Sequence, residues 1–181
     1  ENEDLKDFWL IDPIDGTREY INNEEEFTLN AALIINNKPV LGVINAPDKK
    51  RLFYSYGPLN SFEFTNNQEI KLIDQKKKKI NIISAVSYSN ILKPDILKLH
   101  KKFNVNKYQK MKSSLKFCVI AAGEFDLYIA EPRAHEWDIA AGHAILEHAG
   151  GKLTDFYGNE ILYGKKDFRN PSLILKGKHI L

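Results

Sequence analysis

The segment Asp12-Pro13-Ile14-Asp15-Gly16-Thr17 places two carboxylates three residues apart, directly after the hydrophobic run Phe8-Trp9-Leu10-Ile11. Proline between the two acids and glycine after the second favour a tight turn, which can aim both acids and an intervening backbone carbonyl at one point. Hard divalent cations such as Mg²⁺ take oxygen ligands of this kind in near-octahedral geometry at about 2.0–2.1 Å. Gly16 and Thr17 then offer backbone N–H groups at the start of a turn or short helix, a setting that suits a phosphate oxygen. Asp-Pro and Asp-Gly are also ordinary turn pairs, so two aspartates in such a loop are, taken alone, more often structural than functional.

A second acidic segment, Glu136-Trp137-Asp138-Ile139-Ala140-Ala141-Gly142, lies far downstream. Asp138 stands at the expected start of a helix over 139–149. As a plain N-cap it contributes about 1 kcal/mol and needs no function. As a third carboxylate it joins the first two at a metal. Both hold together if one oxygen caps while the other ligates. The remaining reactive side chains point elsewhere. Cys118 sits in the apolar string Phe117-Cys118-Val119-Ile120 and reads as a small buried hydrophobe. His143 and His148 fall on the 139–149 helix and read as structural.

These residues need a scaffold that the pattern supplies. Hydrophobic runs predict strands over 8–11, ending at Asp12-Pro13, and over 27–35 and 40–46, joined by a hairpin at Asn36-Asn37-Lys38. Further strands are expected over 52–56 and 61–64, and an irregular polar connection over 66–79. The second half alternates strand and helix: strand 80–86, helix 94–103 with proline in its first turn, helix 115–122 closed by Gly123, strand 125–130, helix 139–149 closed by Gly150-Gly151, and short strands near Leu153 and over 172–175. The fold class is therefore α/β, an α+β layered sandwich, divided at the polar connection into a metal-loop subdomain (1–79) and a C-terminal α/β subdomain (80–181).

The chain has 181 residues, 26 basic against 24 acidic, a formal net charge of +2, and 43% hydrophobic residues. That is an ordinary globular composition, and the near-balance argues against a nucleic-acid partner, which calls for a clustered basic excess. The four lysines at 76–79 are too short a run to supply one and read as a solvated loop or edge. A single cysteine allows no internal disulfide and fits a reducing cytoplasm. No apolar run of about 18 residues is present to cross a membrane.

The two acidic segments together resemble the inositol monophosphatase superfamily, which pairs a D-P-x-D-G-T loop with a downstream W-D. Asp15-Gly16-Thr17-Arg18-Glu19-Tyr20, Glu26-Phe27-Thr28-Leu29-Asn30 and Ser113-Ser114-Leu115-Lys116-Phe117-Cys118 are similar to its CysQ-type 3′(2′),5′-bisphosphate nucleotidase branch. The resemblance implies a layered sugar-phosphatase-like fold and a Mg²⁺-dependent, Li⁺-sensitive enzyme with two or more ions per site. The substrate it implies is a small nucleotide bisphosphate, adenosine 3′,5′-bisphosphate, cleaved to AMP and phosphate in nucleotide recycling and sulfur assimilation. Carried over, Asp12 bridges two metals, the Ile14 carbonyl binds one, and Asp15 and Asp138 bind the other. Thr17 positions or deprotonates the attacking water, the Gly16 and Thr17 N–H groups hold the scissile phosphate, and Ser114 and Lys116 contact the rest of the nucleotide. The implied location is cytoplasmic, with peripheral attachment to the inner membrane and oligomeric state left open.

The match has departures. The family's first metal ligand, a glutamate upstream of the loop, has no counterpart in residues 1–11. Glu1, Glu3 and Asp4 stand too close to the first strand to replace it. The expectation is that upstream sequence carries it together with N-terminal helices, and that this 181-residue piece binds metal and turns over poorly without them. Lys112 stands where the pattern has glycine, and Ile129-Ala130 where it has Pro-Arg after Tyr128, with Arg133 near enough to compensate. The alternatives are a phosphatase of the same fold acting on inositol or another sugar phosphate, and a fragment that binds nucleotide without cleaving it.

Overall fold

The computed structural model describes residues 5–75 and 82–181. Glu1, Glu3, Asp4, the lysines at 76–79 and the first two residues of the strand expected over 80–86 lie outside the described residues. The first sheet is a six-stranded antiparallel meander in sequence order: β1 (Phe8–Asp15), β2 (Thr28–Ile35), β3 (Lys38–Ala46), β4 (Arg51–Ser55), β5 (Ser61–Thr65) and β6 (Gln68–Lys71). A short helix, α1 (Thr17–Ile21), sits between β1 and β2. Asn36 and Asn37 both take positive φ, 49° and 61°, as a two-residue hairpin turn requires. Asn66 and Asn67 repeat the device at 50° and 59°, and β6 follows where an irregular connection was expected. That strand shows little alternation because it lies at the sheet edge.

β1 also differs from expectation. It runs through Pro13 to Asp15 instead of stopping at Asp12. Proline is tolerated because β1 is the other edge strand, with one side free of ladder partners.

The second sheet has the order β10-β11-β9-β7-β8, built from β7 (Ile83–Ser87), β8 (Val105–Lys110), β9 (Leu127–Ala130), β10 (Lys152–Thr154) and β11 (Leu173–Lys176). β7 pairs in parallel with both β8 and β9. The helices α2 (Pro94–Lys102) and α3 (Leu115–Ala121) lie in the two connections, as parallel pairing demands. β8 carried no expectation, since five of its six side chains are exposed at an edge and show no period.

The helix α4 (Glu136–His148) joins the layers. It packs on β1, β2 and β3 and also against α3. Contact on both flanks explains why it is apolar almost all round, with Ile139, Ala140, Ala141, Ala144, Ile145 and Leu146 buried. The approach to β3 is at backbone distance: a Cβ on Gly42 would stand 2.3 Å from the Ala141 carbonyl oxygen. One core runs from Leu10, Ile44 and Phe53 through this helix to Tyr128, Leu173 and Leu175. Among the described residues no helix is long and apolar enough to cross a membrane.

Candidate metal and phosphate site

Residues 12 and 15 of a regular strand would point to opposite faces. Here Asp12 pairs with Asn30 and Asp15 with Thr28, so three steps along β1 oppose two along β2. This extra residue is a β-bulge. Asn30 and Thr28 share the buried face of β2, and the bulge turns both aspartates towards it. Gly16 closes the loop at φ 89°, and a Cβ there would meet the Glu26 carbonyl oxygen at 2.9 Å. Thr17 Oγ1 donates to the Ile14 carbonyl oxygen at 3.0 Å, and the Ile14 N–H donates to Asp12 Oδ1 at 3.2 Å.

The third carboxylate arrives on α4. The helix begins three residues earlier than expected, so Asp138 is not its N-cap; His135 is. Asp138 occupies the third helical position and accepts the His135 N–H on Oδ2 at 2.7 Å. A carboxylate oxygen each from Asp12, Asp15 and Asp138 lies within 4.8 Å of the others. The gathering costs free energy in the absence of a cation. Burial, then the charges of Asp15 and Asp138, push the Asp12 carboxyl up to about 6. Burial raises Asp15 as well, against the pull of the Lys116 ammonium. Three hard oxygen donors whose mutual repulsion a divalent cation would relieve are a fitting donor set for Mg²⁺.

Lys116 and Ser114 stand at the start of α3. Lys116 is buried, gives its ammonium to the Ser113 carbonyl oxygen, and lies 5.3 Å from the Tyr128 ring centroid. Burial lowers its pKa to about 8. The Ser114 N–H donates to Asp15 Oδ2. Its hydroxyl donates to Asn30 Oδ1 at 2.8 Å and lies 2.8 Å from Thr28 Oγ1. Ser114→Ala should therefore cost about 1–2 kcal/mol in urea unfolding by leaving those two groups short of a partner.

Asp15 and Asp138 border a cleft of about 300 Å³ lined by Gly16, Thr17, Tyr88, Lys116, Tyr128 and Arg133 among others. Thr28, Asn30 and Tyr88 were not singled out from the sequence. The first two carried a signal: polar residues two apart on a strand whose next inward positions, Ala32 and Ile34, are apolar. Tyr88 carried none. His143 and His148 are engaged with partners inside the protein. His143 Nδ1 lies 2.9 Å from the Tyr163 hydroxyl, and His148 Nδ1 accepts the Gly57 N–H at 3.2 Å. Cys118 is buried, and burial pushes its thiol well above the usual range.

The sequence profile described as the Inositol monophosphatase family matches residues 2–180. The chain belongs to the inositol monophosphatase family. Within it, the chain is 37% identical over 158 residues to the 3′(2′),5′-bisphosphate nucleotidase CysQ of Buchnera aphidicola, covering 86% of this chain and 58% of that protein. It is 35% identical over 166 residues to the CysQ of Salmonella typhimurium, covering 91% and 65%. The solved CysQ of Bacteroides thetaiotaomicron, a bacterial member of the inositol monophosphatase family, superposes with a TM-score of 0.79 at 32% identity, covering 98% of this chain and 75% of that one. The layered α/β architecture is thus that of the inositol monophosphatase family. The chain spans 58–65% of the length of these two curated relatives.

Proposed function

We propose that this chain carries the carboxylate and phosphate half of a Mg²⁺-dependent phosphomonoesterase that removes the 3′-phosphate of adenosine 3′,5′-bisphosphate. The products would be AMP and phosphate, formed in the cytoplasm during nucleotide recycling and sulfur assimilation. The observation that carries this reading is the convergence of Asp12, Asp15 and Asp138 at the edge of a cleft that also holds Lys116. The substrate follows from the relatives named bisphosphate nucleotidase.

In this reading the carboxylates of Asp12, Asp15 and Asp138 and the Ile14 carbonyl would hold the divalent ions. When bound, Mg²⁺ supplies positive charge to a phosphoryl oxygen and to the departing 3′-oxygen and makes water a better nucleophile. Thr17, its hydroxyl proton given to the Ile14 carbonyl, presents oxygen lone pairs that orient the attacking water. The N–H groups of Gly16 and Thr17 hold the scissile phosphate. Ser114 acts through its N–H, fixing Asp15. Lys116 lends its charge to the anionic ligand beside Asp15. Residues 1–79 form the metal-loop subdomain, and residues 80–181 supply Asp138 and the nucleotide contacts.

A phosphate-release assay separates the substrates. Adenosine 3′,5′-bisphosphate is expected to be preferred over inositol 1-phosphate by at least about tenfold in kcat/KM, the discrimination that one charged contact provides. A preference of that size for inositol 1-phosphate overturns the substrate assignment.

A further inference from the structure

Three cations gather around the ring of Tyr88, a residue of the cleft wall. The Lys112 Nζ and the Arg133 Cζ each lie 3.5 Å from the centroid of the Tyr88 ring, and the Lys116 Nζ lies 5.9 Å from it. Aromatic faces attract cations, so the ring acts as their common platform. Among the described residues neither Lys112 nor Arg133 has a carboxylate in ion-pair reach. The neighbouring acid Glu131 is taken by Lys93, and Glu26 accepts the backbone N–H of Lys112 rather than its ammonium. The charges repel one another: Arg133 and Lys112 both help to hold the Lys116 pKa down.

The site is therefore bipolar. Asp15 and Asp138 line the same cleft as Tyr88, Lys116 and Arg133, so one part calls for a cation and the other for an anion. One of the cations stands at a departure from the CysQ pattern, which has glycine at the position of Lys112, and the same pattern places an arginine two residues after Tyr128. Here Ala130 fills that arginine's place, and Arg133 reaches the Tyr88 ring from three residues on.

We propose that Lys112 and Arg133, braced on Tyr88, seat the phosphate group of the nucleotide that is not cleaved. The arginine fork matches two phosphate oxygens at once, and the lysine adds a point charge. A monophosphate or an inositol phosphate with one phosphate at the carboxylates leaves this seat unfilled, so the pair sets the preference for a bisphosphate. The proposal rests on the nucleotidase reading for which phosphate is cleaved, and the seat itself is tested by binding.

The probe is 5′-AMP, which carries only the phosphate that is not cleaved, with adenosine as the control. Calorimetric titrations would compare the unmodified protein with Lys112→Met, Arg133→Gln and the double variant. Both side chains reach solvent, so the substitutions leave the core untouched. Each single change is expected to weaken 5′-AMP binding about tenfold, as loss of one charge-assisted contact does, and to leave adenosine within about twofold. Tyr88→Leu, which removes the platform but no charge, is expected to weaken 5′-AMP as well. Unchanged 5′-AMP affinity in the double variant, or an equal loss for adenosine, overturns the seat. If 5′-AMP binds and the variants weaken it, yet adenosine 3′,5′-bisphosphate releases no phosphate, the seat stands and the nucleotidase reading falls.

Discussion

In the full-length protein, Asp15→Asn is expected to lower Mg²⁺-dependent phosphate release by about a thousandfold, the scale on which a preorganised electrostatic contact acts at a reacting phosphate. The fold should survive, because the asparagine carbonyl still accepts the Ser114 N–H that Asp15 accepts now. Without divalent ions the variant should in fact melt higher at pH 8 than the parent. A carboxyl whose pKa is raised on folding binds protons more tightly in the native state. Its effect on stability is therefore unfavourable once pH rises past its folded value and vanishes below its unfolded one. For Asp12 the window runs from its ordinary 3.8 to about 6, so metal-free protein should gain stability as pH falls from 6 towards 4. Asp12→Asn removes that gain. Mg²⁺ should raise the melting temperature of the parent at pH 8 and leave that of Asp15→Asn nearly unmoved, since ligand binding to the native state stabilises by mass action. Near-parental activity in Asp15→Asn removes this carboxylate from the site.

Gly42→Ala is expected to cost about 3 kcal/mol, at the upper end for overpacking a tight interface. The added methyl would stand 2.3 Å from the Ala141 carbonyl oxygen and 3.0 Å from the Ala144 Cβ, and neither a backbone carbonyl nor a buried helix yields cheaply. The only relief is to lift α4 away from β3. That movement carries Asp138 away from Asp12 and Asp15, which ride on β1. Urea unfolding should therefore show the destabilisation, and phosphate release at a temperature where the variant is folded should fall by more than tenfold, as small displacements of positioning groups do. The substitution touches no residue of the cleft, so loss of activity in the folded variant reports the coupling of sheet to helix.

The sequence made the carboxylate cluster legible more readily than the scaffold. Asp12, Asp15 and Asp138 were readable because an acid-proline-acid-glycine turn and an acid at a helix start are local patterns. The hairpin at Asn36-Asn37 was readable for the same reason. What stayed hidden depends on partners distant in sequence. β1 continues through Pro13 only because it lies at an edge, and sheet order is not written in the strand. The bulge that brings residues 12 and 15 to one face is defined by its register against β2. β6 and β8 are edge strands without clear alternation. The true start of α4 was obscured because Glu136 looks like a surface acid. It is in fact fully buried, accepting the N–H groups of Gly164 and Lys165 and pairing with the Lys165 ammonium at 2.6 Å. Tyr88 joins Lys112 and Arg133 only in three dimensions.

Crystals grown with Mn²⁺ in place of Mg²⁺, with an anomalous difference map, test the shared-cation claim most directly. A peak in direct coordination contact with carboxylate oxygens of Asp12, Asp15 and Asp138 is the expected result. Ordered carboxylates with no peak among them at saturating Mn²⁺ would contradict it.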